Sequence, residues 1–126
     1  MGKHMARIDR AYVALALVLL IIGEALGFYM GMMNDMKWRS VHIGIVLIGF
    51  VTLAIFGVLF RLWPAMKQGV LAMAQFWLTV IGLAGVIVGT MQQTLNGSIA
   101  LLAAGSAVMI VGALLLAWLF WERGTA

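Results

Sequence analysis

The sequence predicts an all-α protein, a membrane-embedded four-helix bundle in up-down-up-down order. Of its 126 residues, 65% are hydrophobic and only 10% are charged, and the mean hydropathy is +1.13. Such values are typical of an integral membrane protein. Four apolar stretches reach the roughly 20 residues that a spanning helix needs, and the short connectors between them favour antiparallel neighbours. We therefore expect one transmembrane domain over residues 1–126.

The four predicted spans cover residues 11–33, 41–63, 70–91 and 99–121. Residues 1–5, before the first span, are typical of an expression tag. A polar turn at 34–37 separates spans one and two. Pro64 ends the second span, because proline lacks a backbone donor and restricts the residue before it. The turn at 96–98 precedes the fourth span.

Basic residues lie at the ends of the spans and predict the orientation of the bundle. One side carries only Lys37 and Arg39, whereas the other carries six basic residues. These six are Lys3, Arg7, Arg10, Arg61, Lys67 and Arg123. The positive-inside rule then places both termini in the cytoplasm. The net charge of +4 is thus a topology signal, and we expect the lipid bilayer, not nucleic acid, as partner.

His42 is the strongest candidate for chemistry, since an imidazole within a span is costly unless it has a partner. The chain has no cysteine, which excludes disulfides and thiolate metal sites, and no cluster of side chains indicates catalysis. Three-and-four spacing places His42 and Gly49 on one helical face, where the glycine leaves flat space for a heme edge. Arg39 lies on the same side and could bind a heme propionate. Alternatively, His42 bonds a backbone carbonyl while Arg39 extends to water.

The run from 23 to 64 contains R-S-V-H-I-G-I-V-L-I-G-F and then F-G-V-L-F-R-L-W-P. It resembles small four-helix bacterial membrane proteins similar to the catalytic subunit (subunit I) of heme-copper oxidases and nitric oxide reductases. The resemblance implies that His42 ligates the iron of heme b and that Arg39 is the propionate partner. The implied function is electron transfer, gas sensing or heme handling.

The chain departs from this family at Gly44, where many of the small relatives have a second histidine. Without further histidines we expect no copper site. A second axial ligand would be Met30, Met33 or Met91, or a histidine of a neighbouring protomer. The large subunits arrange twelve helices as three arcs of four, so the resemblance also implies a homo-oligomer, specifically a homotrimer.

Glu24 is the other ionisable residue deep in a span, and it supports an alternative function. A carboxyl at this depth must be protonated, paired or in contact with water. Four short spans with a glutamate in the first also resemble the small multidrug resistance transporters, which implies a proton-coupled transporter using Glu24. A structural or assembly subunit without chemistry is the third alternative. In that case we expect Glu24 to bond a backbone carbonyl, Gln75 or Thr79.

Glycines at intervals of four predict close helix packing. They occur on span one and on span three. The positions are Gly23, Gly27 and Gly31, then Gly85 and Gly89, with Gly82 on a nearby face. The spacing leaves two interpretations open: packing within one chain, or an interface between copies.

Overall fold

The structure, a computed structural model, describes residues 7–124, and over that range it is built from helices without strands. The tag-like residues 1–5 lie outside the described residues. Four long helices are α1 (Ile8–Met33), α2 (Arg39–Leu62), α3 (Gly69–Asn96) and α4 (Ala100–Arg123). Each is long and apolar enough to cross a membrane. The predicted all-α, four-helix fold is confirmed.

The helices begin and end close to the predicted boundaries. Asn34 ends α1 in the left-handed conformation (φ 50°), with its N–H bonded to the carbonyls of Gly31 and Met30. A short 3₁₀ helix, Pro64–Lys67, connects α2 to α3. The third helix continues past the predicted end at residue 91, since the hydroxyls of Thr90 and Thr94 bond carbonyls one turn earlier. Its polar last turns therefore stay helical.

The second helix is α-helical only at its two ends. Its first turn, Arg39–Ile43, and its second half, Thr52–Leu62, are α-helical, whereas Gly44–Val51 is π-helical. A π-helix bonds residue i to residue i+5 and rotates each residue less than an α-helix does. His42, Val46 and Gly49 nevertheless all lie against α1, so that face of α2 continues from His42 through this segment.

Glycines bring the paired helices into backbone contact. A Cβ atom at Gly85 on α3 would lie 2.9 Å from the Cα of Gly105 on α4. On α1, a Cβ at Gly23 would lie 2.7 Å from the Val46 side chain of α2. These glycines pack helices within one chain, the first of the two interpretations above. Gly31 differs, because a Cβ there would meet nothing within 4 Å.

The buried core lies towards one end of the bundle, which we call the terminal end because α1 starts there and α4 finishes there. Tyr12 is fully buried at its centre. Its ring stacks on Phe60 and meets Phe56 and Phe76 edge to face, with centroids 4.9–5.8 Å apart. Other core residues are Ile8, Ala16, Leu53, Met66, Ala72, Leu116 and Leu119. The opposite end, which carries His42, contributes little to this core.

Candidate functional site

His42 lies half-buried between α1 and α2, near the opposite end of the bundle. Its Nδ1 is 2.9 Å from the carbonyl oxygen of Gly23. Because a carbonyl can only accept, the ring donates this hydrogen bond from Nδ1–H. This is the backbone-carbonyl bond expected in the absence of heme. It does not exclude heme, because a metal-binding histidine is commonly held by such a bond from its other nitrogen.

The nitrogen that remains for a ligand is Nε2. Among residues 7–124 it makes no hydrogen bond. With the proton on Nδ1, Nε2 carries the lone pair that a metal ion requires. The ring is thus both oriented and in the tautomer suited to coordination.

Glycines of α1 form the surface beside the ring. A Cβ at Gly27 would lie 2.7 Å from Cε1 of His42 and 3.4 Å from Nε2. One turn further along, Gly31 has open space at its Cβ position. Gly27 and Gly31 therefore leave a strip of α1 without side chains next to the nitrogen.

Gly49 faces α1, as His42 does. A Cβ at Gly49 would lie 3.0 Å from Cδ1 of Leu19 on α1. His42 and Gly49 thus both lie on the side of α2 that packs against α1. A porphyrin in contact with Gly49 would require Leu19 to move. Gly27, in contrast, already lies against the imidazole ring of His42.

Arg39 opens α2 and lies one turn before His42. Its side chain is exposed, and its guanidinium makes no ion pair or hydrogen bond within residues 7–124. A guanidinium in that position can bind an anionic group next to the ring. Of the three candidate methionine ligands, Met30 is buried, whereas Met33 and Met91 are exposed.

Side chains alone do not form a metal cage around His42. Residues 7–124 contain no group of three or more His, Cys, Asp or Glu residues that could hold a metal ion. One histidine binds a bare metal ion weakly. A porphyrin brings four ligand nitrogens of its own and needs only axial ligands from the protein. The donor set therefore fits heme better than a bare ion.

Glu24 points away from the bundle. Its side chain is exposed and makes no ion pair or hydrogen bond within the described range. The expected partners are engaged elsewhere: Gln75 bonds Tyr12 at 2.5 Å and Thr79 at 3.0 Å. Glu24 also lines none of four cavities found around the bundle. A proton-coupled transporter that uses Glu24 therefore stays a prediction.

A charged cluster at the terminal end was not predicted from the sequence. The carboxylate of Asp9 is buried and lies 3.2 Å from Nη1 of Arg61 and 3.7 Å from Nζ of Lys67. Sequence reasoning treated the two cations only as topology signals. The presence of two basic residues around Pro64, with a single acid opposite at the start of span one, was the signal that could have revealed the cluster.

No family model, curated protein or solved structure matches the chain. The likeness to heme-copper oxidases therefore rests on the residues quoted above.

Proposed function

We propose that the protein is an integral membrane heme b protein in which Nε2 of His42 ligates the iron. Its role would be electron transfer, gas sensing or heme handling, without a copper site. The observation that carries the proposal is the 2.9 Å hydrogen bond between Nδ1 of His42 and the Gly23 carbonyl. That bond orients the ring and leaves the lone pair on Nε2.

Each neighbour of His42 has a separate part in this proposal. Gly27 lets the imidazole lie directly against α1, because a Cβ there would meet the ring at 2.7 Å. Arg39, nearer the end of the bundle, is placed to bind a propionate. The bound heme supplies the iron that changes redox state or binds a gas. The Gly23 carbonyl accepts from Nδ1–H, so Nε2 is the nitrogen left to bind the iron.

The proposal includes a homo-oligomer, and by resemblance a homotrimer. Glu24 supports it, because a carboxyl on the exposed side of α1 near the middle of a span is costly in lipid unless it is paired or shielded. Phe28, one turn further along α1, is 72% exposed. A second copy covering this face would shield the carboxyl and could supply the second axial ligand. We place both termini on the cytoplasmic side of the membrane, following the distribution of basic residues. The resemblance implies that this is a bacterial inner membrane.

The test is the visible spectrum of protein purified from heme-replete cells. We expect a Soret band in the native protein and its loss in His42→Ala. In His42→Gly, added imidazole should restore part of the band, because it can occupy the space left by the ring. Glu24→Gln replaces an ionisable carboxyl on α1 by an amide and leaves the imidazole and its Gly23 partner in place, so it should keep the band. Colourless native protein, or an unchanged band in His42→Ala, contradicts the proposal.

A further inference from the structure

A cavity of about 260 Å³ lies at the terminal end, between α1 and α2 and away from His42. Its lining residues are Asp9, Arg10, Val13, Gly57, Val58 and Arg61. The cavity opens to the outside of the bundle, since Val13 and Val58 on its wall are 37% and 50% exposed. In a membrane this opening faces lipid, not the protein interior.

The polar and apolar lining residues lie at different depths. Arg10 is in the first turn of α1, and Arg61 is in the last turn of α2. Val13 and Val58 each lie three residues further into the membrane, about 4.5 Å at the rise of an α-helix. The guanidinium groups are therefore at headgroup level, and the valines are at the level of the acyl chains.

The rim of the cavity carries excess positive charge. Asp9 is its one carboxylate, and that group already contacts Arg61 and Lys67. Despite this contact, the Arg61 side chain is 79% exposed, so most of its N–H donors point outward. The Arg10 guanidinium has no ion pair or hydrogen bond to any of residues 7–124. Two arginines can thus offer donors to one external anion.

We propose that this cavity binds an anionic phospholipid, with its phosphate on Arg10 and Arg61 and an acyl chain along Val13 and Val58. Guanidinium groups bind phosphate with paired, charge-assisted hydrogen bonds. Basic pockets between membrane helices suit anionic headgroups. A soluble phosphate would leave the apolar wall uncovered, and a choline headgroup would bring a cation to a site that is already positive. The site is independent of heme binding at His42.

The experiment is lipid titration of the full chain in detergent, followed by native mass spectrometry. Phosphatidylglycerol and phosphatidylcholine with identical acyl chains serve as the probes. We expect tighter binding of phosphatidylglycerol, and Arg10→Gln should weaken it about fivefold, as basic residues near a membrane surface do. Lys37→Gln is the matched control, because it removes one exposed charge at the opposite end, and it should leave the affinity unchanged.

A second variant tests the apolar wall. Val58→Trp fills the groove without changing the charge and should also weaken phosphatidylglycerol binding, while circular dichroism checks that the helices remain. Equal affinity for the two lipids overturns the proposal, as does an equal effect of Arg10→Gln and Lys37→Gln. Millimolar glycerol 3-phosphate should not displace bound phosphatidylglycerol. If it competes as strongly as a lipid does, the proposal is overturned, because the site would then bind soluble phosphates.

Discussion

The hydrogen bond of His42 to Gly23 uses one ring nitrogen and leaves the other for a ligand. The Gly23 carbonyl accepts from Nδ1 at 2.9 Å, which requires the proton on that nitrogen. Nε2 has no hydrogen-bond partner among residues 7–124 and is not fully buried, so it stays accessible to a ligand.

Gly27 and Gly31 provide a matched pair of substitutions on the same strip of α1. In Gly27→Ala the new methyl group would lie 2.7 Å from Cε1 of His42, so the ring must move and Nε2 moves with it. Such overpacking costs about 1–3 kcal/mol. We expect heme content to fall at least severalfold in Gly27→Ala, measured by the ratio of Soret to protein absorbance.

Gly31→Ala is the control, because its methyl group would meet nothing within 4 Å. It should keep the heme content of the native protein. If both variants bind heme equally well, the ring is not held against α1 as the structure places it.

Single residues also mark the limit of sequence reasoning. His42, Arg39 and Glu24 were identified because each is a polar residue in or beside an apolar run. Tyr12 and Asp9 were missed, although they form the best-bonded buried groups. Their partners are 63 and 52 residues away in the chain, and no local pattern connects positions that far apart.

At the scale of the helices, apolar length predicted four spans correctly, because the bilayer sets the length of a spanning helix. The π-helical segment Gly44–Val51 was not predicted. It contains no proline to mark it, but Thr52, just after its end, donates its hydroxyl to the Leu47 carbonyl five residues earlier.

Glycines allow the backbones of α3 and α4 to touch. A Cβ at Gly105 would lie 2.6 Å from the backbone of Gly85 and Val86, and backbone atoms cannot rotate aside. We expect Gly105→Val to separate the helices and to destabilise the protein by at least about 2–3 kcal/mol. Unfolding in a mixture of detergent and SDS, followed by circular dichroism, measures this loss.

Ala104→Val on the exposed face of α4 adds a similar volume next to the same position. Its unfolding curve should match that of the native protein. If both variants lose the same stability, the loss comes from placing valine in this turn of α4. The close contact of Gly105 with α3 would then not explain it.

For the whole molecule, the proposed assembly can be tested at Glu24, whose side chain is exposed on α1. We expect native mass spectrometry in mild detergent to give the mass of three chains of 13.7 kDa. Glu24→Lys places a like charge from every copy at the proposed interface, so it should shift the mass towards one chain. Lys37→Glu, outside the spans, is the control and should keep the trimer. Native protein that yields only monomers or dimers contradicts the trimer.

The uneven placement of the core has a mechanical consequence. Tyr12 with its aromatic neighbours, and Asp9 with Arg61 and Lys67, fasten α1, α2 and α3 together at the terminal end. Towards the other end, α1 presents glycine where a side chain could have locked it to a neighbour. Beside His42, α1 and α2 meet through the imidazole itself, which lies against Gly27 and bonds the Gly23 carbonyl, so any movement of the ring would also change how the two helices pack there.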